Sequence, residues 1–332
     1  MLQTDSLLQV AEGIYQVQLP LPLALRIVNC YLLDNGDRTW TVVDTGLNYY
    51  ADQEVWTAAF EALDIAPHQI SQIVLTHIHP DHYGMAGWLQ ELSGAPVRLS
   101  KRDADAAEVF WGDAETRYSS ISEQMNHAGV PDRGIEEIVS GVAYIFAMTA
   151  PHPTHVEHIA PGEIVRMGGR ELTAILAPGH SDGQLVFYDA ADRLILSGDQ
   201  VLMQITPNIG LWPETDPDPL GRFLSSLRDL RLLDVRLGLP GHKALITDWR
   251  GRIDQLIAHH EKRLRQTLDI VASGGTFGGA TGYEVAAHLF DLTRLSVHDM
   301  RFALVETLAH LDYLVHTGEI RRVGEDVWRF EK

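Results

Sequence analysis

Cysteine is almost absent from this 332-residue sequence. Cys30 stands alone, so no disulfide closes within the chain and no cysteine-based zinc site can form. Positive charge is also scarce: 26 lysines and arginines face 45 aspartates and glutamates, a formal charge of −19. Nucleic-acid affinity comes largely from basic side chains that displace counterions, so a dedicated DNA-binding role is disfavoured. No run reaches the ~18 uninterrupted apolar residues that a membrane span requires. The first residues, MLQTDSLLQVAEGIY, lack a basic start, an apolar stretch and a small-residue cleavage site, so a reducing, cytoplasmic setting is expected. Nothing recurs with a period of roughly 20–50 residues, which excludes a solenoid.

What remains is a globular composition, 45% apolar and 21% charged, long enough for one large domain or two. Segments 14–19, 26–34 and 39–46 are rich in β-branched and aromatic residues and read as strands, the last two joined by an Asn35-Gly36 turn. Val55, Ala59, Phe60 and Leu63 recur at helical spacing over 51–63. A short apolar strand then enters a histidine-rich loop at 72–82, followed by a helix from Gly84 and a strand at 96–100. Strand, loop, helix, strand is the order of a layered α/β fold.

Residues 101–160 depart from that order: 104–127 is helix-forming, and 150–161 (APHPTHVEHIAP) is rich in proline and histidine. The whole region reads as a helical insertion, a candidate lid. Strands resume at 171–189, 193–202 and 236–242. Ile253, Leu256, Ile257, His260, Leu264, Leu268 and Val271 mark one face of a long helix. A glycine-rich turn at 273–282 precedes helix, helix and a terminal hairpin, which is winged-helix order. The expected domains are 1–247, carrying the chemistry, and 248–332. The six basic and nine acidic residues of 280–332 favour a packing or dimer module over a DNA reader.

Histidine is the residue in excess, 16 in all. In THIHPDH, His77 and His79 alternate at a strand end and can share a metal, while Asp81 and His82, beyond the Pro80 bend, can serve a second site. His180 in APGHSDGQ, Asp199 in LSGDQ and His242 in LPGHK each follow a short apolar strand. Seven nitrogen and oxygen ligands without a thiolate suit zinc best, with iron or manganese as alternatives. His152, His155 and His158 are also clustered, but Pro151 and Pro153 prevent a regular helix, so they read as solvated or substrate-facing. Trp111, Tyr118, Tyr144 and Trp212 are candidates for an apolar pocket or for the core, and Lys243 for meeting an anionic tail.

In order and type, these motifs resemble the metallo-β-lactamase superfamily over residues 10–245, with Asp44 in VVDTG matching its first motif. The resemblance implies an αββα sandwich holding two divalent ions. His77, His79 and His180 would hold one, Asp81, His82 and His242 the other, with Asp199 bridging. Asp44 would accept a hydrogen bond from a ligand imidazole. A metal pair lowers the pKa of a water towards ~7, giving hydroxide at neutral pH. Asp81 would receive that water's proton. The start LPLP…NCYLL, the insertion and the carboxy-terminal region resemble the glyoxalase-II-like branch, whose layout implies hydrolysis of a small thioester or related carbonyl ester. Phosphodiesterase or single-strand endoribonuclease activity, a lactonase, an iron dioxygenase and a regulatory protein without chemistry are the alternatives. A homodimer is kept open.

Overall fold

The computed structural model describes residues 6–112, 114–274 and 279–332. Part of the expected amino-terminal segment, residues 1–5, and part of the glycine-rich turn, 275–278, lie outside the described residues. The chain opens with β1 (Leu7–Ala11), β2 (Ile14–Pro20), β3 (Ile27–Asp34) and β4 (Trp40–Val43), an antiparallel meander. Helix α1 (Tyr50–Ala62) crosses to β5 (Ile70–Val74), which pairs parallel to β4. The short α2 (Pro80–Tyr83) and α3 (Ala86–Ser93) lead to β6 (Val97–Ser100). Three helices follow, α4 (Lys101–Trp111), α5 (Ala114–His127) and α6 (Asp132–Phe146).

The segment expected to be a helical insertion over 101–160 is helical only to residue 146. Its end returns to the sheet as β7 (Val156–Ile159), parallel to β6 and completing seven strands. Only Ile159 of that strand is buried, so a proline- and histidine-rich edge strand of four residues carries almost no alternation to read. A second sheet of five strands is built from β8 (Ile164–Met167), β9 (Arg170–Leu176), β10 (Leu185–Asp189), β11 (Leu194–Gly198) and, after α7 (Pro219–Leu230), β12 (Leu237–Pro240).

Alternation along the strands makes the layers. Tyr31 and Leu33 of β3 face Leu185 and Phe187 of β10 and Leu194 and Leu196 of β11 across the inter-sheet core. Their neighbours Cys30 and Leu32 pack outward against α1 and α3, with Trp56 and Leu89. Val186 and Ile195 pack outward against Phe223 and Leu227 of α7 and Ile253 of α8 (Trp249–Ala272). Helix, sheet, sheet, helix is the expected αββα order.

Beyond α8 come β13 (Ala280–Thr281), α9 (Gly282–Leu289), α10 (Val297–His316), β14 (Arg321–Val323) and β15 (Arg329–Glu331), with β15 central in a three-stranded antiparallel sheet. Thr281 starts α9 with a capping box, its hydroxyl accepting from the Glu284 N–H while Glu284 accepts from the Thr281 N–H. Ile121 and Met125 of α5 and Ile138 and Val142 of α6 share one core with Ala286, Leu304 and Leu308 of α9 and α10. The insertion and the carboxy-terminal helices are therefore packed as one layer over the site.

Candidate metal centre

The site residues sit where strands end. Asp44 follows β4, and the 77–82 loop follows its parallel neighbour β5. Asp199 and His242 follow the parallel pair β11 and β12 of the other sheet. His180 lies in the turn after β9. The two sheets are tied at this edge: Asn29 Nδ2 donates to the Pro240 carbonyl at 3.1 Å, and the Tyr31 hydroxyl donates to the same oxygen at 2.7 Å. Pro80 occupies the first turn of α2, where its missing N–H costs nothing, and that turn swings His82 back towards Asp44. Gly241 admits no side chain, since a Cβ there would strike Asp199 Oδ1 and the His82 ring.

Three groups of donor atoms converge: His77, His79 and His180; His77, His82 and Asp199; and Asp81, His82 and His242. Asp199 faces both flanks, with Oδ2 at 3.5 Å from His180 Nε2 and 3.3 Å from His242 Nε2, and Oδ1 at 3.4 Å from His82 Nε2. Asp81 Oδ2 lies 3.2 Å from His242 Nε2. All seven residues singled out in the sequence are thus at one place. His152, His155 and His158 form no such group among the described residues. His152 stacks instead on Trp111.

The outer ring nitrogens have assigned work. His82 Nδ1 lies 2.9 Å from Asp44 Oδ2, His180 Nδ1 2.9 Å from the Asn208 carbonyl, and His242 Nδ1 2.8 Å from the Ile27 carbonyl. Each of these acceptors requires the proton on Nδ1. Thr76 Oγ1 donates to Asp44 Oδ2 at 2.8 Å, so at 2.9 Å it accepts from His77 Nδ1. Four imidazoles consequently direct Nε2 at the centre, that of His180 lying 2.8 Å from His79 Nδ1. Asp44 holds this arrangement from a left-handed backbone (φ 57°), a conformation that aspartate tolerates better than most residues.

Burial and the neighbouring imidazoles push His77 well below the ordinary histidine range, and burial with His180 pushes His79 down to about 3. Both are neutral, as ligation demands. Burial also opposes charge on His82 and His242, but Asp199 with Asp44 and Asp81 drives His82 upward, and Asp199 with Asp81 drives His242 up to about 10. The carboxylates call for positive charge at this spot. His77 Nε2, His82 Nε2, His242 Nε2 and Asp199 Oδ1 are buried and have no hydrogen-bond partner. Buried polar atoms left unpaired are costly. Nitrogen lone pairs and carboxylate oxygens of this kind are satisfied together by divalent cations, so the donor set fits metal ions.

The centre opens into a cleft of about 340 Å³, lined by apolar side chains such as Leu47, Phe110, Phe146 and Phe302 with His79, Asp81, His180, Asp199 and His242 at one end. Of the aromatic candidates, Trp111 and Trp212 line it, Tyr118 packs in the helical layer and Tyr144 is 63% exposed. Lys243 is not on its wall; Arg301 of α10 is. Two supports were not legible in the sequence. Asp103 of α4 accepts from Ser181 Oγ at 2.7 Å and from the Gly183 N–H at 2.8 Å, fixing the His180 turn. Asn208, whose carbonyl orients His180, donates through Nδ2 to the Phe302 carbonyl and to Glu306 Oε2, tying the centre to α10. A backbone carbonyl leaves no signature in a sequence.

Comparison with known proteins agrees with this geometry. Residues 23–242 match the family described as metallo-beta-lactamase superfamily, and residues 269–332 match metallo-beta-lactamase-like, C-terminal domain. A metallo-beta-lactamase family protein of Thermus thermophilus superimposes with a TM-score of 0.87 at 31% identity, covering 98% of this chain and 100% of that one. A beta-lactamase domain protein from Burkholderia ambifaria gives 0.85 at 26% identity, covering 98% and 94%. Among curated relatives, the probable metallo-hydrolase YqjP of Bacillus subtilis (strain 168) is 26% identical over 91% of this chain and 92% of its own. The lactamase-like protein nscB of Trichophyton equinum is 28% identical over 92% and 76%. The chain belongs to the metallo-β-lactamase superfamily and is a metal-dependent hydrolase.

Proposed function

We propose that this superfamily member hydrolyses thioesters or related carbonyl esters of apolar acyl groups, as in the glyoxalase-II-like branch, with two divalent ions, zinc first among them. The observation that carries the reading is the joining of a His/Asp donor set to an apolar, aromatic-lined cleft. A chain with a formal charge of −19 suits a small substrate better than a polyanion. His77, His79 and His180 would hold one ion, Asp81, His82 and His242 the second, with Asp199 between them. When bound, such ions supply Lewis acidity and make water nucleophilic at neutral pH. Asp81, whose carboxylate lines the cleft, would take the attacking water's proton on an oxygen and return it to the leaving group. Against the effect of burial, His82 and His242 keep that carboxyl below the ordinary range, so it begins ionised.

The apolar walls of the cleft would exclude water and seat the acyl chain. We read residues 280–332 as a winged-helix module, supported by the order β13, α9, α10, β14, β15, and α10 as its contribution to the cleft wall. The test is turnover of acyl thioesters, lactones, phosphodiesters and a fluorescent single-stranded RNA at two ionic strengths. Thioester turnover that depends weakly on salt is expected. RNA cleavage falling steeply with salt, without thioester turnover, would reverse the reading, because single-strand binding loses about 0.7 log units per neutralised phosphate per decade of salt.

A further inference from the structure

Among the described residues, Arg301 is the one lysine or arginine on the cleft wall. Its guanidinium carbon lies 5.2 Å from the Trp212 ring centre and 4.9 Å from that of Phe302, against two rings that themselves meet edge to face. An Nη atom reaches His298 Nδ1 at 3.4 Å, and Nε is shut off from solvent with no hydrogen-bond partner. No ion pair among the described residues includes this side chain. Three acids around the cleft are committed elsewhere. Asp182 pairs with Arg102 and Arg222, Asp299 takes the Ser296 hydroxyl, and Glu306 accepts from Asn208. Glu214, whose Oε2 is buried without a hydrogen-bond partner, forms no ion pair with Arg301 among the described residues. Burial with the Arg301 charge holds His298 down to about 4, so its ring is a neutral acceptor.

A hydrocarbon side chain would pack against Trp212 and Phe302 without desolvating a charge. A guanidinium kept there without a carboxylate has one long contact to a neutral imidazole and no anionic acceptor, and its planar fork matches carboxylate and phosphate oxygens. We propose that Arg301 is the anion-recognition residue of the cleft, and that the substrate carries an anionic oxygen group in addition to its scissile carbonyl. This rests on the carbonyl-ester reading above and deepens it. The anionic group has two sources: a carboxylate on the acyl chain, or a phosphate on the thiol carrier.

The test uses the full chain as purified. Hexanoyl and adipoyl thioesters of N-acetylcysteamine differ by one acyl carboxylate, and the same acyl groups on 4′-phosphopantetheine add a phosphate on the thiol side. In the wild type, the anion on the recognised side should lower KM roughly 10–100-fold with kcat little changed, the range of one charge-assisted hydrogen-bonded contact. Arg301→Met should abolish that gain, so that anionic and neutral thioesters are turned over with similar KM. Arg301→Lys, which keeps the charge without the fork, should restore part of it and serves if the methionine variant does not fold. Binding of adipamate against adipamide, followed by calorimetry, gives a readout free of turnover. No anion preference in the wild type, or a preference that survives in the variants, overturns the assignment. A calorimetric preference for adipamate that Arg301→Met loses, in a wild type inactive on every thioester, would retain Arg301 and overturn the thioester reading instead.

Discussion

Asp44 accepts a hydrogen bond from His82 Nδ1 at 2.9 Å, and the same carboxylate oxygen takes the Thr76 hydroxyl that orients His77. One buried residue on β4's end thereby sets the tautomers of two imidazoles, one in the His77–His79–His180 group and the other in the Asp81–His82–His242 group. Asp44→Ala should cost both groups together, by ~10–100-fold in metal affinity or activity. Metal titration beside kinetics checks this. Thr76→Val should reproduce only the His77 part, and an Asp44→Ala protein that titrates like the wild type would reduce Asp44 to a turn residue.

Metal content tests the donor groups directly. Protein purified without chelator should carry close to two ions per chain, and His79→Ala should empty the His77–His79–His180 group and remove nearly all turnover. Elemental mass spectrometry reads both. A ratio near one, dominated by iron, would favour the dioxygenase alternative.

His310 and His260 supply a pH dependence away from the centre. Both are buried between α8 and α10, with His310 Nε2 at 3.3 Å from His260 Nδ1 and His310 Nδ1 donating to the Glu306 carbonyl. Burial holds His310 down to about 4. Above about pH 6.5 the folded and unfolded chains are equally neutral at this position. Below it the unfolded chain takes a proton that the folded one refuses, so stability falls with pH down to about 4, by up to ~3 kcal/mol. Urea denaturation of His310→Gln at pH 7.5 and 5 should show a smaller loss than the wild type. Equal losses would place the acid sensitivity elsewhere.

Ile138 of α6 is 1% exposed in the core shared with α9 and α10. Ile138→Ala should cost about 2–5 kcal/mol, and the two helix pairs should loosen together. Hydrogen exchange would show protection lost in α10 as well as α6. Loss confined to α5 and α6 would make the insertion an independent lid.

The seven candidate ligands were legible from the order of residues alone because their chemistry is local. His180, Asp199 and His242 each follow an apolar strand and a glycine, and THIHPDH places the other four in six residues. Strand alternation likewise announced both sheets, since period two reflects the pleat itself. Helix α7, the edge strands β1 and β8 and the parallel β7 were not distinguished, because short or partly exposed elements carry few alternating positions. What the sequence determined is the set of donors and their order along the chain. Tertiary structure alone decided which carbonyls accept from the outer ring nitrogens, since Asn208 and Ile27 act through backbone atoms that any residue possesses. It also decided that Arg301, one arginine among the helix-forming residues of α10, faces a cleft rather than water. Helical periodicity assigns a residue to a face, and only the packing of that face against another domain determines what it meets.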